Sequence, residues 1–143
     1  PKDSYTWGNY KWANGSETTM TKYCTDSNYG NNGFTDGKTT LEPEDDAATV
    51  NMGGNWRMPT SKEAKELVDN CTWKWTSRNG INGYEVKSKT NGNSIFLPAA
   101  GYNNSSNIGK AGYYWLSSII TKSTYFGVDL SFNSSYFSAG ANY

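Results

Sequence analysis

The sequence predicts a loop-rich α+β domain with two short helices and a small antiparallel sheet, on three observations. Helix end signals occur twice, around Leu41–Val50 and again at Thr60, behind which apolar residues take helical spacing. From Trp73 onward the apolar period changes to two. The 143 residues carry 15 Gly, 6 Trp and 11 Tyr, a composition that needs many turns and a core of few, large, flat side chains. A chain of this length fits one domain, so a single core is the expectation.

The first forty residues alternate aromatics (Tyr5, Trp7, Tyr10, Trp12) with turn formers at Asn14-Gly15, Asn28-Tyr29-Gly30 and Asp36-Gly37. They read as loops and short extended pieces pinned by rings. Leu41–Val50 places Pro43 near a first helical position, acidic residues over the amino-terminal turn and Gly53-Gly54 past the end, which predicts a short helix. Thr60 followed by Glu63 is a capping box, and Ala64, Leu67, Val68 and Cys71 behind it repeat at one-face helical spacing.

Tyr84 to Lys89, the turn Thr90-Asn91-Gly92-Asn93 and Ser94 to Leu97 predict a hairpin closed by Pro98. Tyr113 to Ser118 is a further strand. From Tyr125 to Phe132 the even positions Phe126, Val128, Leu130 and Phe132 are apolar, while Tyr125, Gly127, Asp129 and Ser131 share no character. Even positions therefore face the core and odd positions face outward. After the turn at Asn133-Ser134-Ser135, Phe137, Ala139 and Ala141 face inward, and Tyr136, Ser138 and Gly140 outward.

Lys plus Arg and Asp plus Glu each number 13, and no basic block offers a stripe for phosphates, so nucleic acid is not an expected partner. No apolar window is long enough to span a membrane. The amino terminus lacks a signal-peptide core. Cys24 and Cys71 are compatible with one disulfide closing a long loop and equally with two free thiols. The His-free surface rich in Asn, Ser, Thr and Tyr points to an extracellular or cell-surface location.

The absence of histidine removes the commonest general base, metal ligand and nucleophile activator, so no enzymatic activity and no cofactor are expected. Glu42, Glu44, Asp45 and Asp46 form an oxygen-rich run without EF-hand spacing, and the competing reading is a charged first helical turn. Trp73, Trp75 and Tyr114 are candidates for sugar stacking, weighed against a place in the core; Trp56 and Trp115 are assigned to the core. Arg57 at a helix entrance reads as an anchor for carbonyls or a carboxylate. Asn-X-Ser/Thr sequences, among them those at Asn14, Asn70, Asn104 and Asn133, fall in Asn- and Ser-rich stretches and carry no functional weight.

Five strings carry a resemblance: Glu42-Pro43-Glu44-Asp45-Asp46-Ala47-Ala48, Gly53-Gly54-Asn55-Trp56-Arg57-Met58-Pro59-Thr60, Asn70-Cys71-Thr72-Trp73, Gly92 through Tyr102, and Gly112-Tyr113-Tyr114-Trp115-Leu116-Ser117-Ser118. The chain resembles, over nearly its whole length, the major paralogous domain of gut Bacteroidetes and Fibrobacter, which is similar to the C-type lectin fold. Some members of that family are targets of diversity-generating retroelements, with variation from near the Gly-Tyr-Tyr-Trp strand to the carboxyl end. The resemblance implies a scaffold over residues 1–111 and a variable ligand-contacting segment over 112–143. It makes Leu130 and Phe132 fixed scaffold and Ile119, Ile120, Tyr125, Asp129, Ser131, Tyr136 and Ser138 variable. It also implies a first and a last strand that this chain starts and stops inside, hence a fragment or a strand-donating neighbour. Ala13 stands where relatives often carry Cys.

The expectation is a non-enzymatic binding or adhesion domain whose partner is a protein or glycan on another cell or particle. Its contact residues are Ile119, Ile120, Tyr125, Gly127, Asp129, Ser131, Tyr136, Ser138, Gly140 and Asn142, where Tyr supplies rigid amphipathic area and Ser and Gly adaptable contacts. Two other classes compete: a pilus or surface-layer subunit completed by strand addition, and an oxidase using Cys24 and Cys71.

Overall fold

A computed structural model of the chain describes residues 6–102, 107–120 and 123–142, with the side chains of 141 and 142 outside that description. The elements run α1 (Ala47–Met52), α2 (Ser61–Asn70), β1 (Cys71–Arg78), β2 (Ile81–Ser88), β3 (Ser94–Pro98), β4 (Ala111–Trp115), β5 (Gly127–Asn133) and β6 (Tyr136–Asn142), after a single 3-10 turn at Asn31–Gly33. The class is α+β as expected. The strands, however, form two three-stranded antiparallel sheets, ordered β1-β2-β3 and β4-β5-β6, where one small sheet was expected. Alternation identifies a strand but not its partner, which is why the sequence merged the two.

The described residues cluster into two compact units. One comprises the residues up to Met58 with Ser117–Gly127; the other comprises Pro59–Leu116 and Val128–Asn142.

The second unit carries both sheets and α2. The capping box closes as read: the Glu63 amide donates to Thr60 Oγ1 at 3.3 Å, and the Thr60 amide donates to Glu63 Oε2 at 2.8 Å. Ala64 is fully buried, and Leu67 and Val68 are half-buried on the same face. Cys71 begins β1 instead of ending the helix, so no glycine caps α2. Its last carbonyls are satisfied from outside: Trp73 Nε1 donates to Leu67 O at 2.9 Å, Lys89 Nζ to Asp69 O at 2.9 Å and the Lys89 amide to Asn70 O at 3.1 Å.

β1 and β2 meet through Asn79 and Gly80, both at positive φ (53° and 78°), as the favoured two-residue hairpin turn requires. The predicted β2–β3 hairpin is present, with Tyr84 opposite Leu97 and Val86 opposite Ile95. Tyr84, Val86, Ala99 and Phe132 form the buried centre, surrounded by Leu67, Cys71, Trp73, Trp75, Leu97, Tyr114 and Phe137. The rings interlock: Tyr84 lies edge-on to Phe132 at 5.5 Å, and Tyr114 stacks on Phe132 at 5.9 Å while its hydroxyl donates to Pro98 O at 2.7 Å. Each such pair adds about 0.5–1.5 kcal/mol beyond the area it buries. Trp73, Trp75 and Tyr114 thus pack, half-buried, against the core.

In β6 the predicted alternation holds: Phe137 and Ala139 are half-buried, and Tyr136, Ser138 and Gly140 are exposed. In β5 it fails. Asp129 and Ser131, expected to face solvent, are only 4% and 6% exposed. β5 is the central strand of its sheet, and the residues opposite these two on β4 are Trp115 and Tyr113, far taller than an aspartate or serine. Period two assigns residues to faces; it does not say that the second face is bare. Phe126, expected in the core, is exposed because β5 starts only at Gly127. Trp115 and Trp56, also expected inside, are each 60% exposed. Trp is seldom wholly buried, and a place in a specific string says nothing of burial.

The first unit contains isolated bridges, Ala13 with Met20, Met20 with Gly30 and Thr40 with Ser118. Tyr23 adopts a left-handed φ of 59°, and its amide and that of Cys24 both donate to the Asp36 carboxylate, at 2.8 and 3.0 Å. The helix expected over Leu41–Val50 starts later, at Ala47. Asp46 is its cap, accepting from the amides of Ala48 (2.9 Å) and Thr49 (3.0 Å), and it also accepts from Met58 N at 2.9 Å. Pro43 sits in the preceding turn.

Candidate functional site

The ten candidate contact residues divide between the two units. Ile119, Ile120, Tyr125 and Gly127 belong to the first; Asp129, Ser131, Tyr136, Ser138, Gly140 and Asn142 belong to the second. Tyr125 is 61% exposed. Ile119 and Ile120 are half-buried, and the Ile119 amide is tied to Thr39 O at 2.9 Å, so they offer less apolar area than expected. Gly127 is half-buried at the start of β5. Asp129 and Ser131 are removed from the surface by their burial. Tyr136, Ser138 and Gly140 line the outward side of β6, and the Asn142 side chain, like that of Ala141 and the sequence at Asn104, lies outside the described residues.

Around Tyr125 the fold gathers rings that the sequence scatters. The Trp7 indole meets Tyr125 at 5.8 Å between centroids with planes at 88°, and Tyr10 at 5.9 Å with planes at 82°. A hydrogen bond to the Glu17 carboxylate pushes the Tyr125 phenol pKa up. The early aromatic run gave the only hint of this group, because nothing in spacing links position 7 to position 125.

A second cluster explains the acidic run. Lys22 Nζ lies 2.7 Å from Glu42 Oε2, 2.9 Å from Glu44 Oε1 and 2.7 Å from Asp45 Oδ2, with the faces of Trp12 at 4.4 Å and Tyr23 at 4.8 Å. The Tyr23 hydroxyl donates to Asp45 Oδ2 at 2.6 Å and accepts from the Glu42 amide at 3.0 Å. Lys11 reaches Asp45 Oδ1 at 3.1 Å, and Lys38 pairs with Glu42. Hydrogen bonds from Lys22 and Lys38 bring the Glu42 pKa down to about 2. Burial alone would raise Asp45, but hydrogen bonds from Lys22, Tyr23 and Lys11 outweigh it and hold the carboxyl well below its ordinary range. Burial alone would lower Lys22, and its bonds to Asp45, Glu42 and Glu44 raise it instead.

The run is therefore neither a cation cage nor a charged first helical turn: three carboxylates hold an internal ammonium and the fourth caps α1. Among the described residues no group of three or more His, Cys, Asp or Glu is arranged to hold a metal.

Both cysteines are free thiols. Cys24 donates to Asp26 O at 3.1 Å, and burial pushes its pKa up, the opposite of the depressed value an activated thiol needs. Arg57 Nη1 donates to Met58 O at 3.3 Å, consistent with an anchor. No helix of the described residues is long and apolar enough to cross a membrane. No protein-family model, no curated protein and no solved structure matches this chain.

Proposed function

We propose that this chain is a non-enzymatic ligand-binding or adhesion domain of the C-type-lectin-like kind, secreted or surface-displayed, in which a fixed aromatic core carries an interchangeable outer face. One observation carries the reading. On β6, Phe137 is committed to the core, stacked on Trp73 at 4.4 Å, while its neighbours Tyr136 and Ser138 stand exposed. Such positions can change without touching the scaffold, which is what a display surface demands. The Trp56-Arg57-Met58-Pro59-Thr60 and Phe96-Leu97-Pro98-Ala99-Ala100-Gly101-Tyr102 strings support the same family and a retroelement-diversified carboxyl segment. The face is smaller than the alternation suggests: Asp129 and Ser131 do not belong to it.

The test combines folding with binding. Fluorescently labelled chain is scored for adhesion to a panel of bacterial and epithelial cells, alongside a variant carrying Tyr125→Ala, Tyr136→Ala and Ser138→Ala. The variant should keep its unfolding midpoint and lose adhesion; unfolding, or adhesion that persists, would sink the reading. A second reading, a surface-assembly subunit, is favoured by β6 lying at the edge of its sheet, where a neighbour's strand can add. Light scattering separates the two, since a stable monomer argues against assembly.

A further inference from the structure

An asparagine followed by glycine can modify itself. The glycine amide nitrogen loses its proton to solvent and bonds to the asparagine Cγ, the Cγ–Nδ2 bond breaks, and ammonia leaves. Water then opens the resulting five-membered succinimide on either side, giving aspartate or isoaspartate. Glycine favours the closure because it has no Cβ to obstruct it. The chain holds five such pairs, Asn14-Gly15, Asn32-Gly33, Asn79-Gly80, Asn82-Gly83 and Asn91-Gly92. Closure requires a glycine amide that is not already bonded and an asparagine free to rotate about its Cα–C bond, and the fold grants these conditions unequally.

Two pairs have their glycine amide engaged: Gly33 donates to Gly30 O at 3.0 Å and Gly92 to Ser88 O at 3.1 Å. The Asn91 carboxamide oxygen also accepts from the Asn93 amide at 2.9 Å. Gly83 is buried in β2, the middle strand of its sheet, and Asn82 is held twice, its Nδ2 donating to Gly109 O at 3.0 Å and its carbonyl accepting from the Ala99 amide at 2.8 Å. Asn79 and Gly80 fill the β1–β2 turn at φ 53° and 78°, clamped between the paired residues Arg78 and Ile81. Rotating Asn79 into the closing geometry dismantles that hairpin.

The pair at Asn14-Gly15 differs from all four. Both residues are exposed. Among the described residues neither the Asn14 carboxamide nor the Gly15 amide has a hydrogen-bond partner. No atom comes within 4 Å of where a Cβ on Gly15 would stand, so the attacking face is open to water. The chain is tied on either side of the joint, by the Asn14 amide donating to Thr19 O at 2.8 Å and the Ser16 amide donating to Thr19 Oγ1 at 3.0 Å. Gly15, at φ 95°, is the loose link between those ties.

We infer that Asn14 is a site of self-deamidation in the folded chain, with Gly15 N as the nucleophile and water as the only co-reactant. The product carries a new carboxylate on an exposed loop of the first unit, and its isoaspartyl form lengthens the main chain by a methylene beside the Ala13–Met20 bridge. The inference stands apart from the binding-domain reading and survives its failure.

Freshly purified full chain is incubated at neutral pH and physiological temperature, folded in one series and in denaturant in another, and then digested with trypsin under mildly acidic conditions. Cleavage after Lys11 and Lys22 releases residues 12–22, in which Asn14 is the only asparagine. The mass gain of a carboxamide turned carboxylate is followed in that peptide, and fragment spectra locate it in the others. In the folded series Asn14 should convert at least about tenfold faster than Asn32 and Asn91, whose glycine amides must first break a hydrogen bond, and faster than Asn79 and Asn82. In denaturant the five pairs should convert at similar rates. Asn14→Gln should abolish the mass gain in residues 12–22, because the larger ring closes slowly. Conversion at Asn14 no faster than at the other pairs of the folded chain, or an Asn14 that stays intact there while it converts in denaturant, overturns the inference.

Discussion

The indole of Trp73 lies flat on the ring of Phe137, with centroids 4.4 Å apart and planes within 5° of parallel. This one contact joins the first strand of one sheet to the last strand of the other and fixes which side of β6 is interior. Phe137→Ala should therefore cost about 2–4 kcal/mol, the lower part of the range for removing a packed aromatic because Phe137 is only half-buried. Tyr136→Ala, one residue away, should change stability by less than about 0.5 kcal/mol. Urea unfolding of the two variants measures the difference, and equal effects would mean that β6 has no committed face.

Gly112 and Phe132 are cross-strand partners, and a Cβ built on Gly112 would lie 2.2 Å from Phe132 Cζ. Phe132 is completely buried among other rings, so it has nowhere to retreat. Gly112→Ala should destabilise by about 1–3 kcal/mol through overpacking. Adding Phe132→Leu to it should cost less than the sum of the two single changes, a coupling that a double-mutant cycle reads directly.

The burial of Asp129 and Ser131 makes a direct contrast with β6. Enlarging a buried position in a central strand forces its neighbours apart, so Ser131→Tyr should cost about 1–3 kcal/mol. Ser138→Tyr, on the exposed side of β6, should be tolerated. Thermal unfolding of the two serine variants decides which positions a diversified surface can include.

The Lys22 cluster should make the first unit sensitive to pH in two directions. Glu42 and Asp45 have depressed pKa values, so the stability they supply is present above their ordinary range and is lost as pH falls through the folded values, for Glu42 from 4.5 down to about 2. Lys22 is raised, so its contribution is intact below its ordinary value of 10.5 and is lost only as pH rises beyond that. Lys22→Met leaves Glu42, Glu44 and Asp45 facing one another without the ammonium. That variant should unfold at a lower temperature than the parent at neutral pH and should gain stability on acidification, where the parent loses it. Unfolding midpoints recorded from pH 2 to pH 8 test the reversal of slope.

The Thr60 cap offers the simplest check on α2. Thr60→Ala removes the acceptor for the Glu63 amide and should cost about 1 kcal/mol, measurable by urea unfolding.

Much of the local structure was legible because its causes are local. A capping box needs Thr60 and Glu63 three residues apart, and the β2–β3 hairpin needs turn formers between two alternating runs; both are present where they were read. The Asn79-Gly80 turn, with both residues at positive φ, is equally local in its cause. The helix expected from Leu41 begins at Ala47 because Glu42, Glu44 and Asp45 act on Lys22, more than twenty positions away from Asp45, and leave Asp46 as the cap.

By itself the sequence determined the class, the helix α2, the alternation along β6 and the inward set Leu130, Phe132 and Phe137, because each follows from spacing within a few residues. Only the tertiary structure decided that two sheets form, that Asp129 and Ser131 are covered while Trp56 and Trp115 are not, and that Trp7 meets both Tyr10 and Tyr125. The reason is physical: periodicity records which side of an element a residue occupies, whereas burial depends on what distant parts of the chain come to lie against that side.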